Sequence, residues 1–227
     1  MGARVTRSIH VAGVIDLAEA QLLIDCGIRY LGFPLVLDHH KEDLTIDAAV
    51  AIVSKLRNHA TFFLVTYLNK ARAICELCDA LSVDMVQLHG QIDHEQIQLL
   101  RQEAPKLRII KSLIVRGGNA GPLIDEVQRY GPSVDLFITD TFDPTTGASG
   151  ATGRVHDWQI SRRLVESSNR AGHTGRWPEC QKRSPGHSHS AASWGRRAYG
   201  DRRPRRAQAP RFDEAVRRRG KGWVRGH

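Results

Sequence analysis

Histidine and aspartate residues stand close to the ends of several short apolar runs in this chain. Side chains of these two types can transfer protons, and as a set they can bind a metal ion. If the apolar runs were strands of one barrel, several of these side chains would meet at its mouth. A metal-assisted isomerase or hydrolase is therefore one hypothesis for the chain. The residues concerned are His10, Asp38, His39, His40, His89 and Asp140.

Six short apolar runs alternate with longer stretches of helical period between residues 8 and 167. The runs begin roughly every 22–31 residues, a spacing typical of successive βα units. The predicted strands are Ser8–Ala12, Tyr30–Phe33, Thr61–Val65, Met85–His89, Arg108–Leu113 and Leu136–Thr141. The predicted helices are Leu17–Cys26, Ile46–Arg57, Asn69–Leu81, His94–Glu103, Leu123–Tyr130 and Trp158–Ser167. Thr45 and Asp93 are predicted helix N-caps, and Gly27 is predicted to follow the first helix.

The polar residues at the strand ends favour a barrel over an open sheet. An open dinucleotide-binding sheet would often carry a glycine-rich turn after its first strand, and the segment 11–16 lacks one. Asp38, His89, Lys111 and Asp140 are instead predicted to lie at the C-terminal ends of several strands, where the active sites of TIM barrels lie. The predicted fold is an incomplete (β/α)8-type barrel of about six units over residues 1–170.

The basic character of the chain comes from its last quarter. The formal net charge is +9, yet residues 171–227 alone carry +11 and residues 1–170 carry −2. The segment 171–227 has no Leu and no Ile, so it is predicted to be a disordered basic tail. Trp177, Trp194 and Trp223 would let such an arm bind RNA by stacking, but no repeated binding motif supports this. No specific nucleic-acid partner is therefore predicted.

Cysteine use and hydropathy predict a cytoplasmic protein with no membrane segment. No apolar run approaches the roughly 20 residues that a membrane span requires. Residues 1–7 lead directly into a strand instead of the apolar core of a signal peptide. Cys75 and Cys78 form a C-x-x-C pair within a predicted helix, which favours ordinary helix positions over a redox or metal site. The sequence gives no indication of oligomeric state.

Several motifs occur in an order and spacing that resembles the phosphoribosylanthranilate isomerase family. Gln87–Gly90 reads Q-L-H-G, the fifth strand carries Lys111, and the sixth strand ends in Asp140–Thr141. The segment 150–153 is similar to the family's G-G-T-G loop, and Asp157–Trp158 matches the D-W that follows that loop. Residues 8–13 align with the family's opening K-I-C-G strand. The resemblance covers about residues 8–168.

The resemblance implies an Amadori rearrangement of a sugar phosphate without a cofactor. An aminoaldose phosphate is converted to an aminoketose phosphate, which requires an acid at the ring oxygen and a base at C2. The acid falls on Asp140, and the implied substrate-binding residues are His10, Lys41, Gln87 and His89. No metal ligand is implied, because His89 belongs to the family motif itself.

Four positions depart from the family pattern. The cysteine that acts as the base corresponds to Ala12, which has no proton acceptor. His10 replaces a lysine, and Lys41 replaces an arginine that contacts the anthranilate carboxylate. A lysine keeps the charge but loses the two-pronged hydrogen bonding of a guanidinium. Ala151 replaces the second glycine of the glycine-rich loop.

The tail does not resemble the last two strands of the family, which hold the substrate phosphate. Codons read one base later from Ala171 can encode P-V-I-L-A-G-G-L, and those from Trp194 can encode G-V-D-A-H-T-G-I-E, both similar to family motifs. A one-base insertion near Arg170 is therefore predicted, with a natural low-complexity extension as the alternative. A barrel without those strands would expose two sheet edges. The chain as it stands is therefore predicted to be poorly soluble and inactive.

Overall fold

Six parallel strands and six α-helices alternate along the chain in the computed structural model, which describes residues 9–37, 42–150, 152 and 154–170. The strands form one sheet in the order β1-β2-β3-β4-β5-β6, so each strand pairs with its neighbours in sequence. The strands are β1 (His10–Ala12), β2 (Tyr30–Pro34), β3 (Thr61–Thr66), β4 (Met85–Leu88), β5 (Arg108–Val115) and β6 (Leu136–Thr141).

The helices begin and end close to the predicted residues. They are α1 (Leu17–Asp25), α2 (Ile46–Leu56), α3 (Ala71–Leu81), α4 (His94–Glu103), α5 (Ala120–Tyr130) and α6 (Trp158–Arg170). Thr45 caps α2 by accepting a hydrogen bond from the Ala48 amide, as predicted. Asp93 is the N-cap residue of α4, but its side chain makes no capping hydrogen bond. Gly27 follows α1 with a φ of 86°, the left-handed conformation that glycine adopts readily.

Apolar side chains pack on both faces of the sheet, which is why the strands are nearly continuously hydrophobic. The larger core lies between the sheet and the helices and includes Leu31, Leu77 and Leu113. The smaller core contains Phe63, Val65, Met85 and Ile110, with Tyr30, Leu136 and Ile138 packed against it. Alternate residues of β2 to β6 contribute to this second cluster. The sheet therefore curls around an apolar interior, as in a barrel.

The prediction that Lys111 ends the fifth strand is wrong. Lys111 pairs with Leu88, the last residue of β4, but β5 continues to Val115 because Ile110–Val115 pair with the six residues of β6. Lys111 is buried, and its Nζ donates hydrogen bonds to the carbonyls of Gly90 (3.1 Å) and Ser112 (2.9 Å). Its ammonium group contacts the β4–α4 connection. Burial lowers the pKa of Lys111 to about 8.

The C-x-x-C pair occupies ordinary positions on α3. Cys78 is buried in the larger core, and burial raises the pKa of its thiol to about 12. Burial also raises the pKa of Cys75, with Glu103 as the next cause. Both thiols are therefore poor nucleophiles near neutral pH.

Among the residues that the structure describes, no helix is both long enough and apolar enough to cross a membrane. The predicted tail, 171–227, lies outside the described residues.

Candidate active site

Asp140 lies on the inner face of β6, one residue before the strand ends. Its Oδ1 accepts a hydrogen bond from the Thr141 amide at 2.9 Å, and 26% of its side chain is exposed. Burial raises the pKa of Asp140, while the neighbouring His89, the Thr141 amide and His156 partly oppose that rise. A carboxyl group whose pKa is raised in this way holds its proton closer to neutral pH, as a general acid must.

His89 follows β4 and is only 8% exposed. Its Nδ1 is 3.1 Å from Ser112 Oγ and 3.8 Å from Asp140 Oδ2. Its Nε2 is 2.9 Å from the carbonyl oxygen of Ser149. A carbonyl oxygen only accepts, so Nε2 carries a proton in this arrangement. The ring thus joins the end of β4 to β5, to β6 and to the loop after β6.

Gln87 and Ser112 extend this hydrogen-bonded chain below His89. The Gln87 side-chain amide donates a hydrogen bond to Ser112 Oγ at 3.0 Å. Gln87 and His89 lie on the same face of the sheet because they are two residues apart in extended backbone. Ser112 is 1% exposed and lies one residue beyond Lys111. The sequence motifs identified Gln87 and His89 but not Ser112. The only feature of the sequence that pointed to Ser112 was its polar side chain inside an apolar strand.

The loop from Phe142 to Gly150 covers the two ionisable groups. Phe142 and Ser149 form an antiparallel bridge, and the Gly150 amide donates to the Thr141 carbonyl at 2.8 Å. The Tyr67 hydroxyl lies 3.4 Å from the Ser149 carbonyl, the same oxygen to which His89 donates. The loop is therefore held against the ends of β3, β4 and β6.

Gly150 sits directly against Asp140 and His89 with a φ of +75°. A Cβ atom added there would lie 2.6 Å from Asp140 Oδ2 and 2.7 Å from His89 Cε1. No side chain fits at this position while the loop is in place. The predicted glycine-rich loop starts here, and its residues 151 and 153 lie outside the described residues.

His10 lies at the first position of β1, paired with Tyr30 at the start of β2. Its ring stacks on Tyr30 with 4.7 Å between centroids and lies 5.8 Å from the Phe63 ring. Burial, followed by the charge of Arg108, lowers the pKa of His10. His10 thus packs among aromatic rings near the strand starts, whereas His89 and Asp140 lie at the strand ends. Ala12, at the predicted base position, is exposed and pairs with Gly32.

The structure therefore brings together Gln87, His89 and Asp140 of the predicted site residues. Lys41 lies outside the described residues, as do Asp38, His39 and His40 of the metal hypothesis. Among the described residues, no group of three His, Cys, Asp or Glu side chains is placed to hold a metal ion.

A cavity of about 450 Å³ adjoins this site on the far side of Thr141. It lies between the loops after β5 and β6, and its lining includes Arg116, Arg154 and His156. Arg116 stacks over the Phe142 ring at 4.2 Å, and Arg154 pairs with Asp143 at 2.8 Å. Neither Asp140 nor His89 lines this cavity.

Comparison with known proteins gives the family. Residues 16–175 match the family model described as N-(5'phosphoribosyl)anthranilate (PRA) isomerase. The chain is 34% identical to N-(5'-phosphoribosyl)anthranilate isomerase 2 of Methanosarcina mazei over 164 residues, 71% of each chain. It is 25% identical to the enzyme of the same name from Methanothrix thermoacetophila over 156 residues, 69% of this chain and 70% of the relative.

Solved structures of phosphoribosylanthranilate isomerases share the fold. The structure from Thermus thermophilus superposes with a TM-score of 0.58 at 18% identity, covering 75% of this chain and 74% of the other. The structure from Thermotoga maritima also gives 0.58, at 19% identity, covering 71% and 73%. The predicted TIM-type barrel is thereby confirmed. The chain belongs to the N-(5'-phosphoribosyl)anthranilate isomerase family, whose members are isomerases of tryptophan biosynthesis.

Proposed function

We propose that this chain carries the acid half of a site for the Amadori rearrangement of N-(5'-phosphoribosyl)anthranilate. Asp140 is the acid, and the observation that carries the proposal is its partly buried carboxyl group beside His89 at the strand ends. A proton from Asp140 goes to the furanose ring oxygen, the C1–O bond breaks, and a Schiff base forms. Loss of the C2 proton and return of a proton then give the aminoketose.

The second half of the reaction lacks its base. The Schiff base must lose the proton at C2, and the aligned residue on β1 is Ala12. A methyl group accepts no proton. General-base catalysis contributes about 10²–10⁴-fold, so alanine in place of the cysteine is by itself expected to slow the reaction by about that factor.

The proposed substrate has two anionic groups that distinguish it from a simple sugar. One solved relative is described as a complex with reduced 1-(o-carboxyphenylamino)-1-deoxyribulose 5-phosphate, which carries both a carboxylate and a phosphate. For this chain we assign the carboxylate contact to Lys41, and we assign Gln87 and His89 to the residues that shape the binding site. His10, which packs on Tyr30 and Phe63 near the strand starts, is left out of this assignment. A cytoplasmic location belongs to the same proposal.

The test is turnover of N-(5'-phosphoribosyl)anthranilate, followed by chromatography of the aminoketose product. Four variants are compared with the parent: Ala12→Cys, Ala12→Ser, Asp140→Asn and Asp125→Asn, the last altering an exposed carboxylate on α5. Restoring a thiol is expected to raise kcat/KM by about 10²–10⁴-fold over the serine variant. Asp140→Asn should abolish turnover, and Asp125→Asn should not change it.

Each variant is also made with residues 171–227 replaced by the corresponding segment of the Methanosarcina mazei relative. This background supplies the phosphate-binding strands that the tail is predicted to lack. Ala12→Cys that is no faster than Ala12→Ser in this background would contradict the assignment of the base position. Undiminished turnover by Asp140→Asn would contradict the assignment of the acid.

A further inference from the structure

Ser112 stands between Gln87 and His89 in a buried hydrogen-bonded chain whose proton positions can be deduced. The Gln87 amide nitrogen only donates, so Ser112 Oγ accepts from it. The serine hydroxyl proton is then available to His89 Nδ1, 3.1 Å away. The other ring nitrogen donates to the Ser149 carbonyl. With a neutral imidazole, the Gln87 amide donates to Ser112 Oγ, the serine hydroxyl to Nδ1, and Nε2 to the Ser149 carbonyl.

A charged imidazole fits the same chain poorly. Both ring nitrogens of an imidazolium donate, so Nδ1 and the Gln87 amide would both direct protons at Ser112 Oγ. The serine hydroxyl would lose the acceptor that it has in the neutral arrangement. A hydrogen bond made only to the neutral form of a group disfavours its charged form. Ser112 therefore favours the neutral form of His89.

The protonation of His89 bears directly on Asp140, because Nδ1 and Oδ2 are 3.8 Å apart. One proton can reside on the carboxyl group beside a neutral ring, or on the ring beside a carboxylate. A serine hydroxyl that donates to Nδ1 occupies the lone pair that would receive the proton. The first arrangement gives an acid at Asp140, and the second does not.

We propose that Ser112 is a positioning residue that keeps His89 neutral and thereby keeps the proton on Asp140. The role is not catalytic, since Ser112 acts through His89. This inference rests on the proposed function only for its consequence, the supply of an acid. The proton position itself can be measured without turnover.

Few other ionisable groups face the ring among the described residues. Tyr67 follows β3, and its ring meets the His89 ring edge-on, with 5.1 Å between the ring centroids. His156 acts on Asp140 from the segment before α6. Lys111 directs its Nζ to the Gly90 carbonyl, next to His89 in sequence. Asp140 is therefore the carboxylate in position to exchange a proton with His89.

The experiment is ¹⁵N NMR of the full chain labelled at histidine, in solution or under magic-angle spinning, with the His89 signals assigned by their loss in His89→Gln. The parent is expected to show a protonated Nε2 and an unprotonated Nδ1 at neutral pH. Ser112→Ala should increase the proton affinity of the ring about tenfold, seen as a doubly protonated ring that persists to higher pH. Ser112→Thr, which keeps the hydroxyl, should restore the parent behaviour.

Gln87→Met is the matched control, because it removes one hydrogen bond from the same buried chain but leaves the serine hydroxyl to donate. His89 is expected to stay neutral in this variant. A ring in Ser112→Ala that titrates as in the parent overturns the proposal. So does Gln87→Met if it raises the proton affinity as much as Ser112→Ala does.

Kinetics separate this inference from the proposed function. In a background that turns over, the rate of Ser112→Ala should fall at lower pH than the parent rate, because Asp140 loses its proton earlier. An NMR result as expected, in a chain that never turns over this substrate, would support the role of Ser112 and contradict the proposed reaction.

Discussion

The close approach of Gly150 to the acid gives a prediction whose magnitude can be worked out from distances. Replacing Gly150 by alanine introduces two costs. The first is conformational, because φ is +75° and an L-residue in the left-handed region costs about 1–2 kcal/mol. The second is steric, because the new Cβ would lie 2.6 Å from Asp140 Oδ2 and 2.7 Å from His89 Cε1. Overpacking of this kind costs about 1–3 kcal/mol.

Gly147 in the same loop provides the matched control. Its φ is +74°, almost the same as that of Gly150, and a Cβ added there meets nothing within 4 Å. Gly147→Ala should therefore cost only the conformational part, about 1–2 kcal/mol. Gly150→Ala should cost about 1–3 kcal/mol more, which is the steric part.

The assay combines urea unfolding with amide hydrogen exchange at residue 150, whose N–H donates to the Thr141 carbonyl. If the loop relieves the overlap by lifting, the cost appears as faster exchange, by roughly 5- to 140-fold relative to Gly147→Ala. If the loop stays closed, the cost appears in the free energy of unfolding. Two variants that agree within about 0.5 kcal/mol in both measurements would show that Gly150 does not pack on Asp140.

Three further predictions concern the interior and the gene. The pKa of Lys111 is about 8 when folded and 10.5 in the reference state, so over that range the unfolded chain binds more protons and stability rises with pH. The raised pKa of Cys78 acts in the opposite direction in both proteins, so the pH dependence of stability in the parent and in Lys111→Met should differ by roughly 3 kcal/mol, measured by urea unfolding. Gly32→Ala places a Cβ 2.5 Å from the Phe63 ring and should lower the free energy of unfolding by about 1–3 kcal/mol. Phe63→Leu should recover part of that loss. If the effects of the two substitutions on the free energy of unfolding simply add, this contact is contradicted. Nucleotide sequencing across codons 161–174 should show one extra base, and an unaltered frame would establish the tail as natural.

The sequence predicted the βα units well because the strands are buried on both faces and the helices are bounded by ordinary caps. Leu136–Thr141 and His94–Glu103 were predicted with their observed bounds. The end of β5 was not, because its length follows from pairing with β6 and not from its own residues. Lys111 suggested a strand end because it is charged. A charged residue can nevertheless be buried within a strand where backbone carbonyls accept its hydrogen bonds.

The site was predicted in part. Motif residues Gln87, His89 and Asp140 come together, because inward positions at the ends of parallel strands converge. Ser112 and Ser149 were missed, since a serine hydroxyl and a backbone carbonyl have no distinctive pattern in a single sequence. The importance of Gly150 could be foreseen as a loop glycine, but its contact with Asp140 depends on how the loop folds back.

The strand order has a consequence for synthesis on the ribosome. Every sheet contact in the described chain joins a strand to the one made just before it, so β2 to β6 each find a partner that has already been synthesised. At about 5–20 residues per second, a unit of 22–31 residues emerges within a few seconds. Each βα unit can dock on its predecessor soon after it leaves the exit tunnel. Among the six described strands, those that carry the site, β4, β5 and β6, are therefore the last to be added.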